Sequence, residues 1–513
     1  MKPTASLLLL ALAFPASAER LPVREHTLSN GMKLLLVRRP DDPTVACGWV
    51  AHVGSANERP GITGISHLFE HMMFKGSKTI GAKDIQRDLA ILEEQEKVRA
   101  EMRAEESRMR EALRRGDIED ITRPENATPR YKELQKRFDE LVAQERQVLN
   151  KAEFERVYVK EGASGLNAFT NTDMTVYFVN VPKNKLELWF WMESDRLREP
   201  VFREFYAERD VVFEERRMRV ESTPTGRLDE AFEEMFWHGH PYTWEVIGYP
   251  SDIPEISKAE ADKYFGLFYA PNNVTAAIVG DFDPDQAIAM AERYLGRIPR
   301  GKEAPPEMTT LPPDWEGEMR FTGQADTNPQ IEIRWHTVPF QHKDSYALEV
   351  TEALLNGRTG RLFKSLVDRG AGKDPLATEV AAGEDSRKYA GSFSVGAEVA
   401  ENHTPEEVER ALEAEVARLR TEPVPARELT KVKNEFAANA YRRLKSSMGI
   451  LIQLLTYDGF GDWKEMTGWP AKIDAVTAED VKRVAAKYLS KDGRAVAVYT
   501  RKGEPAPAKR AAR

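Results

Sequence analysis

Gly64-Ile65-Ser66-His67-Leu68-Phe69-Glu70-His71-Met72-Met73 sets two imidazoles and a carboxylate inside an otherwise apolar run. On a helix, at about 100° per residue, His67 and His71 point the same way one turn apart. Glu70 falls on the other side of His67, so the three polar groups share an arc of roughly 100°. Leu68, Phe69, Met72 and Met73 cover the remaining circumference, so the helix is expected to be buried. Two imidazoles at i and i+4 can hold one zinc ion through neutral ring nitrogens, and the adjacent carboxylate can serve as general base. The competing reading is two satisfied core histidines. With 9 His among 513 residues, chance is a poor source of the pattern.

A catalytic zinc usually takes three protein ligands and leaves a position for water. The segment Glu208-Arg209-Asp210-Val211-Val212-Phe213-Glu214-Glu215 offers the third. Glu208 and Glu215 are seven apart and share a helix face within about 20°, whereas Glu214 points about 100° away. Taken alone, the segment would read as an exposed acidic helix.

The rest of the chain gives these segments a setting. Its 513 residues can hold two or three domains. Hydrophobic residues at 41%, charged residues at 31% and a mean hydropathy of -0.54 describe a soluble globular protein. A net charge of -9 argues against general nucleic-acid affinity. At the start, Lys2, the apolar run 7–14 and Ala16-Ser17-Ala18 match a secretory signal peptide over 1–18. The expected location is periplasmic or secreted, with no stable membrane anchor after cleavage. Cys47 is the sole cysteine, which excludes an intrachain disulfide.

Strands are expected at 26–37 and 44–53, before the metal-motif helix. Two highly charged helical segments within 90–154 flank a breaker-rich stretch at 116–129. Val98, Met102, Met109 and Leu113, then Tyr131, Leu134, Phe138, Leu141 and Val148, form narrow apolar seams. They predict an antiparallel helical hairpin inserted in the first domain, either a solvated spacer or an arm for a partner or substrate. A strand at 175–181, helices at 184–197 and 200–220 and a strand at 274–279 follow. Prolines crowd a linker at 301–318. Beyond it the same order of elements returns, with strands at 330–335, 391–399 and 494–499 and helices at 346–355, 405–419, 428–444 and 478–489. The expected fold is α+β: two homologous domains, 19–300 and 319–500, each a mainly antiparallel sheet packed with helices. The second lacks a counterpart of the His motif, and residues 501–513 read as a disordered basic tail.

Together, His67-x-x-Glu70-His71 and Glu208-Arg209-x-x-Val212-x-x-Glu215 closely resemble the inverted-zincin peptidases of the pitrilysin/insulinase type. That family's spacing is usually written with the Val one position earlier, at Val211, and both positions are Val. Phe74-Lys75-Gly76-Ser77, Asn167-Ala168-Phe169-Thr170, His240-Pro241-Tyr242 and the stretches 269–272 and 280–284 extend the resemblance. It is strongest to the shorter members, including mitochondrial processing peptidase and its bacterial relatives, whose chains pair to enclose a peptidolytic chamber. The resemblance implies zinc, one ion per chain, on His67, His71 and Glu215, with Glu70 as base. It makes Glu208 a supporting carboxylate behind a ligand. It sets Asn167, Ala168, Phe169 and Thr170 on an edge strand that receives an extended peptide by strand addition.

Two departures bear on function. His71 and Glu215 lie 144 positions apart, about twice the family's usual separation, and the helical insertion accounts for the excess. The Arg and Tyr that the family carries in a second-half domain fall here at Val367 and Asp374. Without those donors a developing oxyanion is held less well. The implied function is a zinc endopeptidase for extended or unfolded peptides, the metal-bearing subunit beside a homologous partner that supplies the Arg/Tyr pair. The alternative is a non-catalytic zinc-binding scaffold or a peptide-capture subunit.

Overall fold

A computed structural model describes residues 21–503. The signal-peptide segment 1–18 and the tail from 504 onward lie outside the described residues. Among the described residues, eleven strands form two sheets. The first holds β1 (Val23–Thr27), β2 (Lys33–Arg38), β3 (Thr44–Ala51), β4 (Ser164–Thr170), β5 (Thr175–Pro182) and β6 (Val274–Gly280), in the order β1-β2-β6-β3-β5-β4. The second holds β7 (Met319–Ala325), β8 (Gln330–Thr337), β9 (Ala377–Ser386), β10 (Gly391–Val399) and β11 (Arg494–Arg501), in the order β7-β11-β8-β10-β9.

The expected strand at 26–37 is two. Asn30-Gly31, with Gly31 at φ +93°, turns the chain back so that β1 and β2 pair antiparallel. Asn-Gly between apolar residues is itself a hairpin signal. β11 runs to Arg501, so the first residue of the tail expected over 501–513 is strand.

Helices of the first half are α1 (Ile65–Met72), α2 (Ile85–Arg115), α3 (Pro129–Val148), α4 (Glu153–Lys160), α5 (Leu186–Arg198), α6 (Phe205–Arg216), α7 (Gly226–Phe236), α8 (Lys258–Phe268) and α9 (Pro284–Tyr294). Those of the second are α10 (Ser345–Leu355), α11 (Pro405–Thr421), α12 (Ala426–Arg443), α13 (Ser447–Phe460), α14 (Lys464–Ala475) and α15 (Ala478–Tyr488). The fold is α+β, and the two halves repeat each other. In order and direction of pairing, β2-β6-β3-β5-β4 corresponds to β7-β11-β8-β10-β9, including one parallel pair in each set. Residues 298–318 join the sheets without helix or strand.

Each half also lends a helix to the other. Central strands alternate between two cores: Leu34 and Leu36 of β2 face the first half's own helices, while Leu35 and Val37 face α13. Ile450, Leu451, Leu454 and Leu455 of α13 cover that second face of the first sheet. Reciprocally, Phe232 and Phe236 of α7 cover Ala495, Ala497 and Tyr499 of the second sheet. A glycine makes room at each contact. A Cβ on Gly48 of β3 would lie 2.9 Å from Leu455 Cδ1, and one on Gly323 of β7 would lie 2.6 Å from both methyl carbons of Leu228 in α7.

The insertion is an antiparallel pair, α2 and α3. Asp84 and Thr128 cap their N-termini, and Gly116 at φ +78° ends α2. Val98 and Met102 of α2 and Leu134, Phe138, Leu141 and Val148 of α3 join the first core, so the hairpin's base is built into the domain rather than standing clear of it. Leu113, expected in the seam, is 38% exposed near the tip. Phe138 meets Tyr206 of α6 edge to face at 5.4 Å, which ties the insertion to the helix behind the metal motif.

Candidate metal centre

Helix α1 is fixed at its start by chemistry that the motif alone does not reveal. Gly64, at φ +91°, approaches the Ile247 carbonyl so closely that a Cβ would sit 2.5 Å from its oxygen. The free amides of Gly64 and Ser66 donate to the two carboxyl oxygens of Glu58 at 2.7 and 2.8 Å. Leu68, Phe69 and Met72 are buried, as the pattern requires, and the Tyr177 hydroxyl donates to the Phe69 carbonyl at 3.1 Å. The helix is thus pinned at its N-terminus and its middle, with His67, Glu70 and His71 facing α6 and β4.

Helix α6 brings Glu208 and Glu215 across from the imidazoles. Glu215 Oε2 lies 3.7 Å from His67 Nε2 and 3.6 Å from His71 Nε2. These separations are too long for hydrogen bonds. They approach the roughly 3.4 Å between neighbouring ligands of a tetrahedral ion with bonds of about 2.0–2.1 Å. The three groups offer donor atoms within 4.8 Å of one another, and among the described residues they form the cluster suited to a metal. Two neutral nitrogens and a carboxylate oxygen are a fitting donor set for zinc.

The surroundings tune each member. Burial, with the His71 and Arg219 charges, pushes His67 down to about 3, so its ring is neutral and ready to donate a lone pair. Burial also lowers His71, but its bond to Glu208 and the nearby carboxylates outweigh that and raise it. Glu208 Oε2 stands 3.4 Å from His71 Nδ1, and Lys75 pairs with the other Glu208 oxygen and with Glu204 at 3.2 Å. Burial raises Glu208, yet His71 and Lys75 bring it down to about 2, a firmly ionised anchor for the imidazole. Arg219, four residues after Glu215, holds Oε1 at 2.5 Å and leaves Oε2 toward the imidazoles.

Glu70 does not join the donor cluster. Its Oε2 accepts from the Thr170 hydroxyl at 2.7 Å, and burial raises its pKa against that bond. Asn167, Ala168, Phe169 and Thr170 lie on β4, the edge of the first sheet, with Thr170 at the strand end nearest Glu70. Beside His71 and Glu70 opens a cleft of about 430 Å³, walled by Leu166 and Asn167 of β4 and by residues 149–155 at the exit of the hairpin. The sequence pattern missed Lys75, Arg219 and Glu58. Of these, Arg219 and Lys75 had a local signal, the i+4 spacing from Glu215 and from His71, whereas Glu58 had none.

In the second half, Val367 closes the turn Phe363–Val367 and Asp374 is exposed in the loop before β9. Neither offers an Arg or Tyr donor.

Residues 33–104 and 138–248 match the family model described as "Insulinase (Peptidase family M16)", and residues 255–436 match "Peptidase M16 inactive domain". The gap in the first match falls on the outer part of the helical hairpin. The chain is 25% identical over 509 residues to the zinc protease PqqE of Helicobacter pylori, covering 96% of each chain. A crystal structure of a protease from Helicobacter pylori shares the fold at a TM-score of 0.75 and 21% identity, covering 93% of this chain and 99% of that one. The periplasmic protease PqqL of Escherichia coli does so at 0.64 and 17%, covering 94% of this chain and 48% of the other. With both halves matched and the His67, His71 and Glu215 cluster assembled, the chain belongs to the insulinase family of peptidases, M16.

Proposed function

We infer that the chain is a zinc endopeptidase for extended or unfolded peptides and the metal-bearing subunit of a two-chain enzyme. One observation carries the reading: the His67, His71 and Glu215 donors converge while Glu70 stays outside them, at the end of an exposed sheet edge. Zinc held there would polarise the scissile carbonyl and acidify the attacking water. Glu70 would accept the water proton and return it to the leaving amine, its carboxyl aimed by Thr170. The free edge of β4 suits a substrate strand added alongside Asn167, Ala168, Phe169 and Thr170, bound by main-chain bonds with little demand on sequence. Neutral His67 and the Glu208 support of His71 favour metal binding without further rearrangement. Relatives named zinc proteases, one of them periplasmic, favour the same activity and an extracytoplasmic setting.

Val367 and Asp374 stand where Arg and Tyr donors would be expected, which motivates a homologous partner that supplies them. The same vacancy supports a second reading, a zinc-binding scaffold or peptide-capture subunit. Glu70→Gln decides between them. It should retain zinc and lose peptidase activity by about two orders of magnitude or more, as expected on removing a general base. The assay uses an unfolded protein substrate with the chain copurified from its source. Unchanged turnover would overturn the role of Glu70, and zinc-loaded wild type without turnover beside its natural partner would favour the capture reading. Full activity of the chain as a homodimer would overturn the two-chain arrangement.

A further inference from the structure

Deeply buried arginines in this protein are mostly well partnered. Arg196 Nε donates to Glu193 at 2.6 Å, and Arg203 bonds Asp88 at 2.8 Å and the carbonyls of Ser77 and Ile80. Arg216 meets Glu230 and the Gly248 carbonyl, and Arg494 meets Glu318, Glu409 and Glu413. Arg99 of α2 and Arg209 of α6 differ. They are 7% and 8% exposed, and although the Nε of Arg216 likewise lacks a hydrogen bond, Arg99 and Arg209 make no carboxylate hydrogen bond shorter than 3.5 Å among the described residues. Arg99 Nη1 reaches the Met102 sulfur at 3.6 Å and Glu106 at 3.5 Å, both at the limit of a bond. Arg209 Nη1 reaches the Ile256 carbonyl at 3.3 Å.

Both guanidiniums line a cavity of about 600 Å³ between the hairpin and α6. Each guanidinium carbon lies 5.1 Å from the Tyr206 ring centroid, so two like charges flank one aromatic. Arg110, Arg123 and Lys132 also face the cavity, opposed by Glu106, Asp210 and Glu255, and Arg110 is already paired with Glu255. The lining is therefore cationic in a chain of net charge -9. Burial first, then the Arg99 charge, lower Arg209 against the opposing pull of Asp210 and Glu106. Keeping a weakly paired cation from water is costly, and a planar guanidinium fork is suited to an oxyanion that accepts from two directions. Met109, Ile121 and Phe138 supply an apolar wall beside it.

We propose that this cavity binds a small oxyanion, a phosphate or carboxylate borne on an apolar or aromatic body, between Arg99 and Arg209. Arg209 adjoins Glu208 on α6, so the ligand would clamp the inserted hairpin to the helix that carries two of the metal-centre carboxylates. The binding claim does not depend on peptidase activity.

The test is a thermal-unfolding titration of the full chain at constant ionic strength, with inorganic phosphate, phenyl phosphate and benzoate as probes. A saturable rise of the midpoint is expected with at least one probe, and the phenyl-bearing probes should half-saturate at lower concentration than phosphate. Response to both phosphates but not benzoate assigns a phosphate ligand, and the converse assigns a carboxylate. Arg209→Gln should raise the half-saturating concentration about tenfold or more, as loss of a charge-assisted bond implies. Lys132→Glu, at the exposed rim, should raise it by a smaller factor and serves where Arg209→Gln does not fold. No saturable rise with any probe, or a half-saturation unchanged in whichever of these variants folds, would overturn the proposal.

Discussion

Leu455→Ala tests whether the exchanged helices make the two halves one cooperative unit. Leu455 is fully buried in the cluster where α13 covers β2, β3 and β6. Truncating a buried Leu typically costs about 2–5 kcal/mol, and the value rises with the volume that cannot collapse. Here the facing residue is Gly48, which has no side chain to swing into the gap, and the sheet around it is fixed by pairing on both sides of β3. The loss should therefore lie in the upper part of that range, about 3–4 kcal/mol. Leu228→Ala, at the reciprocal contact against Gly323, removes a side chain that is only partly buried and should cost about 1–2 kcal/mol. Guanidinium melts followed by far-UV circular dichroism and by tryptophan fluorescence measure both. Since unfolding either half uncovers the other's sheet, the two probes should trace one transition, shifted as a whole by either variant. Two separated transitions with only one displaced, or a Leu455→Ala loss below about 1 kcal/mol, would refute the coupling.

Three other outcomes are expected. His67→Ala should abolish equimolar zinc while leaving the far-UV spectrum intact, because it removes a donor and not a core contact; metal analysis of the purified variant checks this. Glu208→Gln should retain zinc at about 10–100-fold lower affinity, measured by chelator competition, since it supports His71 rather than sitting among the donors. Asp458 of α13 is buried against Lys33 at 2.7 Å and His52 at 3.3 Å. Burial raises its pKa, but these partners outweigh burial and bring it down to about 2. Its folded pKa is below the unfolded value of about 3.9, so its stabilisation is fully present above that pH and is lost as pH falls through about 2. Asp458→Asn should remove about 2–3 kcal/mol of the acid-induced loss in equilibrium melts between pH 5 and 2.

What could be read in the sequence was local. Two imidazoles four apart and two carboxylates seven apart declare their faces without knowledge of the rest, and α1 and α6 present them as the spacing requires. The bend at Asn30-Gly31 was equally local and was passed over because the apolar run around it continues. Helix α13 left no comparable trace. Ile450, Leu451, Leu454 and Leu455 face the first sheet, but Met448, Ile452, Tyr457 and Phe460 spread further apolar groups around the helix, so no single stripe stands out. Helix α7 has a clear stripe, but the surface it covers comes about ninety residues later on β7 and about 260 residues later on β11. Thr170 was expected as a substrate contact, and nothing short of the β4–β5 hairpin returning to α1 could reveal its bond to Glu70.

The repetition of the fold sharpens what a single chain can do. The β4–β5 turn closes on the pair Thr170 and Thr175, and the β9–β10 turn, likewise with four residues between, closes on the pair Ser386 and Gly391. Ser386 is thus the counterpart of Thr170, and α10 and α12 are the counterparts of α1 and α6. A cleft lies there too, about 470 Å³, but α10 turns Glu349 and Glu352 toward it and carries no imidazole. Burial, against the Trp469 bond and with help from Glu352 and Glu465, pushes Glu349 up to about 7. Burial also takes Glu384 to about 8, despite its bond from Ser386. Carboxyl groups so crowded hold protons near neutral pH and make poor ligands for a metal that needs them ionised. The second cleft is therefore similar to the first in volume but lined by no imidazole. If the cleft containing His67 and Glu70 turns over peptides, Val367 and Asp374 offer its oxyanion no Arg or Tyr donor, which is the physical ground on which the proposal of a partner subunit rests.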